Sequence, residues 1–187
     1  VKGRERALVA SVAAVGVVSA LSLALGVPPF LPREVHRLLH LAGAVAFLGN
    51  VAAGALWFTL ATVARSRRVL AFAVRTVSLA DVALTAPGAI LLVVNGAALA
   101  PTWGGVRHSP WVLLGTGLFV ASGVLWAAVL VPIQVRLAAL LDREAEGDDP
   151  VAALPGLPRL FAAYGAAGGV SGAAAIAALV AMVMRIG

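Results

Sequence analysis

The chain of 187 residues contains no cysteine, which excludes disulfides, thiolate metal sites and cysteine nucleophiles and leaves the redox compartment unread. Charge is nearly as scarce. Only 12% of residues are charged, against roughly 25% in soluble domains, so a soluble globular domain is excluded. Lysine occurs once, as Lys2, and no block of basic residues is interleaved with aromatics, so nucleic acid is set aside as a partner. The two-residue alternation of a membrane β-barrel is missing. No phosphate-binding loop is present, and nothing groups Ser, His and Asp into a nucleophilic triad. No internal repeat is visible, so the inverted-repeat signature of many transporters is missing too.

What the chain has is apolar length. Hydrophobic residues make up 61% of it. Five uncharged stretches are long enough to span a bilayer: 7–27, 38–64, 82–100, 109–135 and 160–184. About 20 residues at 1.5 Å each cover the hydrocarbon core. The expected fold is therefore all-α: a polytopic bundle of five transmembrane helices in a single domain, 1–187, with the lipid bilayer as its surroundings. The first stretch begins with Lys2, Arg4 and Arg6, as a signal peptide does. Its 21 uncharged residues exceed the ~7–15 of a signal-peptide core, and Pro28 and Pro29 stand where cleavage would fall. It reads as a retained helix.

Loop charge sets the orientation. With the N-terminus inside, the inner segments hold ten basic residues (Lys2, Arg4, Arg6, Arg65, Arg67, Arg68, Arg75, Arg136, Arg143 and Arg159). The outer segments hold four: Arg33, Arg37, Arg107 and Arg185. The positive-inside rule then gives N-in and C-out. Trp103 and Trp111 fall beside outer helix ends, as interfacial aromatics do. Segment 142–158 carries Asp142, Glu144, Glu146, Asp148 and Asp149 with three prolines and reads as a cytoplasmic acidic loop. It is either a solvated linker or a docking patch for a basic partner or for Arg65, Arg67 and Arg68.

In hydrocarbon the polar residues are the informative ones. His40, Gly43, Phe47, Asn50, Gly54 and Trp57 share one face of the second helix. Ser78, Asp81, Thr85, Gly88 and Asn95 share one face of the third. Depth matching pairs His40 with Asn95, Asn50 with Gly88 and Trp57 with Asp81. These stripes are either a packing seam of small and hydrogen-bonding residues or the lining of a path for a small solute. Gly115, Ser122 and Trp126 lie on one side of the fourth helix. Pro87 and Pro132 are candidate kinks. In the fifth helix, Gly165 with Gly169 and Gly168 with Gly172 have small-xxx-small spacing, a possible face for a homo-oligomer or a larger membrane complex.

Candidate ligands gather on the outer side. His36 and His40 are four residues apart, His108 lies in the second outer loop, and the only methionines, Met182 and Met184, end the fifth helix. Imidazole and thioether suit copper or haem iron, although such residues also simply pack at interfaces. Arg37 follows His36, so the Glu of a zinc-hydrolase motif is missing. Asp81 is the one acidic residue near a membrane core. It is either half of an ion pair with Arg75 or Arg136, or a proton or cation relay.

The run His40-Leu-Ala-Gly-Ala-Val-Ala-Phe-Leu-Gly-Asn50, followed by Gly54-Ala-Leu-Trp57, resembles a family of uncharacterised bacterial integral membrane proteins. So does Arg75-Thr-Val-Ser-Leu-Ala-Asp81, followed by Thr85-Ala-Pro-Gly88. The resemblance covers 38–184 and implies a four-helix core, with 7–27 as an added first helix. That family is in turn similar to the CopD-like copper-resistance and membrane protoporphyrinogen-oxidase families, which implies His40 as a ligand for metal or haem. The oxidases' paired Trp-Lys feature has no match here. The leading expectation is thus a bacterial inner-membrane protein binding haem b or copper near its outer face, through His40 with His36 or His108, for electron transfer or metal handling. The alternatives are a non-catalytic accessory or scaffold subunit and a small-solute transporter.

Overall fold

A computed structural model describes residues 2–64, 66–143 and 156–186. Five of its helices are long and apolar enough to cross a membrane: Glu5–Leu25, Arg33–Val63, Arg67–Trp103, Pro110–Leu141 and Leu157–Met184. Among the described residues there is no strand. The first, second and fifth spans are the single helices α1 (Lys2–Leu25), α2 (Arg33–Val63) and α7 (Leu157–Met184). The third is built from α3 (Arg67–Ala80), a π turn (Asp81–Thr85), α4 (Ala86–Leu99) and a short 3₁₀ turn (Ala100–Trp103). The fourth is built from α5 (Pro110–Leu125), a second π turn (Trp126–Leu130) and α6 (Val131–Arg143). Proline opens several of these elements. Pro110 is the first residue of α5, and Pro158 the second of α7, where the missing N–H is no loss.

The third helix starts at Arg67, fifteen residues before the expected 82. Absence of charge marked the expected boundary, and α3 is charged but amphipathic. Leu70, Ala73, Val74 and Val77 are buried while Arg68 and Arg75 face outward. In the same way α2 begins at Arg33 and α6 continues to Arg143, so the segment expected as an acidic loop is shorter than 142–158. Arg65, Glu144, Glu146, Asp148 and Asp149 lie outside the described residues.

Both prolines expected to kink helices stand just beyond a π turn. Pro87 is the second residue of α4, and Pro132 the second of α6. A proline inside an α-helix collides with the carbonyl four residues back and leaves it without a donor. The wider turn, with its bonds reaching five residues, relieves that conflict.

The two π turns divide the bundle. At the end expected to be cytoplasmic α3 packs on α6, and a core of Phe58, Ala61, Leu70, Val74, Leu137, Leu141 and Leu157 fills the space between spans two to five. At the opposite end, expected to be the outer one, the helices form two pairs, α2 with α4 and α5 with α7. Small residues let each pair close, because packing rather than hydrophobic drive holds helices together in lipid. A Cβ on Gly43 would lie 2.7 Å from the carbonyl oxygen of Gly88, so α2 and α4 touch backbone to backbone. Gly115 makes room for Met182 between α5 and α7. Ser122 and Ser171 tie the second pair with hydroxyls 3.0 Å apart. Helix α1 lies outside this core against α4, with Leu8 buried beside Trp126, Leu130 and Val131.

Candidate functional site

Between the two outer pairs lies a cavity of about 470 Å³. Its walls are apolar, with Phe47, Leu92, Val112, Ala175 and Ala178 among them, and Phe47 packs on Phe119 in the lining with ring centres 5.3 Å apart. Its mouth is basic and aromatic. Arg33, Arg37 and Arg185 line it with Trp103 and Trp111. The Arg33 guanidinium stands 5.7 Å from the Trp103 ring centre, and that of Arg185 stands 5.8 Å from Trp111. The two indoles meet edge to face at 5.2 Å. This ladder holds two cations at the mouth by cation–π attraction. Ser109 donates to the Trp103 carbonyl and ties the loop that carries both tryptophans.

His40 and Met182 face this cavity. His40 Nδ1 lies 2.8 Å from the carbonyl oxygen of Leu92. A carbonyl only accepts, so Nδ1 carries the proton and a neutral ring keeps its lone pair on Nε2. A backbone carbonyl behind the first ring nitrogen is the usual arrangement behind an imidazole that ligates metal through the second. Gly96 leaves the ring its place, since a Cβ there would be 3.0 Å from His40 Cε1.

His36, one helical turn away, has other partners. It is buried, its Nδ1 is 2.8 Å from Asn95 Oδ1, and its Nε2 accepts from the backbone N–H groups of Phe30 and Leu31 at 3.3 and 3.2 Å. Both ring nitrogens are engaged, and the ring fastens the α1–α2 connection to α4. His108 is exposed in the loop after Gly104 and does not line the cavity, and Met184 is 69% exposed. Among the described residues no three His, Asp or Glu side chains come together as a metal-ligand group.

Deeper in the bundle, Asp81 gathers polar groups from three other segments. Its Oδ1 accepts from Asn50 Nδ2 at 3.1 Å and Thr85 Oγ1 at 2.9 Å. Its Oδ2 accepts from Trp126 Nε1 at 3.3 Å and Gln134 Nε2 at 2.8 Å. Asn50 also donates to Thr85, and Gln134 to the Tyr164 hydroxyl at 2.9 Å. These partners are neutral, so the expected ion pair with Arg75 or Arg136 gives way to a cage of hydrogen bonds. Arg75 and Arg136 are exposed. Asp81 starts one π turn and Trp126 the other, so the widened turns bring both side chains to one depth.

The stripes on helices two and three do face each other, at a register offset from depth matching. Asn50 meets Asp81 and Thr85, Gly43 meets Gly88, and His36 rather than His40 meets Asn95. The Gly43–Gly88 contact sets that register. Trp57 leaves the stripe, being 43% exposed, and Phe58 turns inward instead. Gln134 and Tyr164 complete the cage although no stripe contained them.

Residues 34–186, the stretch that builds the cage and nearly all of the cavity, match the family described as predicted integral membrane protein, DUF2269. The chain belongs to that family. Helix α1 falls wholly outside the matched region. No curated protein and no solved structure matches the chain, so the wider likeness to copper-resistance and oxidase families has no support from these comparisons.

Proposed function

We propose that the outer cavity binds haem b, with His40 as the residue that would hold its iron, and that the protein transfers electrons at the outer face of a bacterial inner membrane. The observation that carries this reading is the His40–Leu92 hydrogen bond inside a cavity with apolar walls and an arginine mouth. A haem needs one free imidazole nitrogen, a flat apolar slot and cations for two propionates. His40 Nε2, the apolar walls around Leu92, Val112 and Ala175, and Arg33, Arg37 and Arg185 are the residues that would meet these needs in turn. The volume lies in the usual range of roughly 300–1,000 Å³ for small-molecule sites. Met182 also lines the cavity and offers a thioether as second ligand. A bound haem supplies a one-electron couple. The chain's residues orient it, hold its carboxylates at the membrane surface and keep water from its edges. Copper is supported less, since one imidazole and one thioether face the cavity.

Protein isolated gently from its native membrane should show a Soret band. His40→Ala should remove the band while circular dichroism stays helical. Stoichiometric copper without a Soret band would replace haem by copper at the same residue. Protein carrying neither would overturn the reading and favour an accessory subunit. The observation behind that second reading is the lipid-facing side of α7, where Gly165 and Gly169 are exposed with no other residue within 4 Å of a Cβ placed there.

A further inference from the structure

We propose that Asp81 and Gln134 form a proton-binding site at mid-membrane, in which a half-turn of the Gln134 amide accompanies protonation of the Asp81 carboxylate. The site does not depend on any cofactor in the outer cavity. Asp81 lies fourteen residues into the span that starts at Arg67, about 21 Å along the helix axis. It is 5% exposed, and Gln134 is 2% exposed.

The groups around Asp81 are few and mostly neutral. Helix α2 presents Asn50, the fourth span presents Trp126 and Gln134, and α7 presents Tyr164 behind Gln134. Thr85 comes from the next turn of the same span. Helix α1 contributes Leu8 and Val12 to the adjoining apolar cluster. Tyr164 is thus the one other titratable group, and no cation faces the carboxylate among the described residues. An ionised carboxylate there is balanced by hydrogen bonds alone, and an unpaired charge in hydrocarbon is a functional signal.

A count of hydrogens shows what the cage is prepared for. Asn50 spends both amide hydrogens, on Asp81 and Thr85, and Gln134 spends both of its own, on Asp81 and Tyr164. Four donors fill the lone pairs of the two carboxylate oxygens, so this arrangement suits the ionised form. Two things are left over. Gln134 Oε1 is buried with no hydrogen-bond partner. The Tyr164 hydroxyl accepts from Gln134, and its own hydrogen has no acceptor among the hydrogen bonds of the described residues.

A half-turn of the Gln134 amide exchanges its oxygen and nitrogen. Oε1 then stands where Nε2 stood, 2.8 Å from Asp81 Oδ2 and 2.9 Å from the Tyr164 hydroxyl. In that position it accepts the proton carried by Oδ2 and the phenolic hydrogen together. The proton comes from water, binds Oδ2 and takes the carboxylate from charge −1 to neutral, while Tyr164 keeps its own proton throughout. Either orientation leaves one end of the amide without a partner. The two states are therefore close rivals, which a purely structural cage would not require.

Infrared difference spectra of the full chain in lipid nanodiscs, titrated from about pH 4 to about pH 10, test this. A protonated carboxyl C=O band should appear on acidification, accompanied by a shift of the glutamine side-chain carbonyl band. Asp81→Asn should lose both. Gln134→Leu, which keeps Asp81, should retain the carboxyl band at a displaced midpoint and lose the amide shift, so the test survives if the Asn variant does not fold. A wild-type spectrum with no titrating carboxyl band, a band that persists in Asp81→Asn, or an amide shift unchanged in Gln134→Leu would each overturn the proposal.

Discussion

Two histidines four residues apart differ in what their second ring nitrogen does, and that difference can be measured. His36 bonds Asn95, Phe30 and Leu31, so His36→Ala leaves the buried Asn95 amide oxygen unmatched and frees the α1–α2 connection. The unmatched buried group costs about 1–3 kcal/mol. The melting temperature in detergent should fall while any Soret band survives, the reverse of His40→Ala. A lost band in the His36 variant, with stability unchanged, would make His36 the ligand instead. Asp81→Asn replaces one acceptor oxygen by an N–H that meets two donors head-on, and should lower stability by a similar about 1–3 kcal/mol. An unchanged melting temperature would remove the cage from the list of what holds the fold. The polar residues of helices two and three could be read from their spacing. The nitrogen assignments could not, because the partner of His36 is Asn95, 59 positions away. Gln134 did leave a signal, as the single glutamine in the chain, at the edge of an apolar run where polar groups must find partners.

At the scale of the helix, the seam between α2 and α4 rests on Gly43 and Gly88. A Cβ at Gly43 meets backbone atoms of Gly88 and Leu92 at 2.7 and 2.8 Å, and backbone yields less readily than a side chain. Gly43→Ala should push the pair apart and cost about 1–3 kcal/mol. Gly49→Ala, on the same helix with nothing within 4 Å, should be neutral or slightly stabilising through helix propensity. Equal melting temperatures for the two variants would contradict the seam. The five spans were legible from charge-free length. Their ends were not where charge is tolerated, as in α3, where Arg68 and Arg75 point outward while Leu70, Val74 and Val77 pack inward. The register between helices two and three was hidden as well, because it depends on a backbone contact and on two π turns that break the 3.6-residue rhythm.

For the whole molecule, an odd number of membrane-crossing helices and the ten-to-four distribution of basic residues predict that the first and fifth spans leave opposite faces and that the cavity opens to the outside. A reporter fused after Gly187 should be periplasmic, and one inserted near Asp148 cytoplasmic. The opposite pair of signals would place the cavity, and its arginine mouth, on the cytoplasmic face. Cavity and cage then lie in series along the membrane normal. The cavity opens between the two helix pairs, and the cage sits deeper, where Asp81 joins Asn50, Trp126 and Gln134.

The π turns also act as phase shifters. One extra residue rotates everything beyond it by about 100° around the helix axis, so α4 faces its neighbours at a setting that a continuous helix from Arg67 would not have. Deleting the exposed Ala83 from the Asp81–Thr85 turn would restore the ordinary rhythm and swing Gly88, Leu92 and Asn95 off α2 at a single stroke. Three distant contacts, Gly88 with Gly43, Leu92 with His40 and Asn95 with His36, are thus written into the length of one turn.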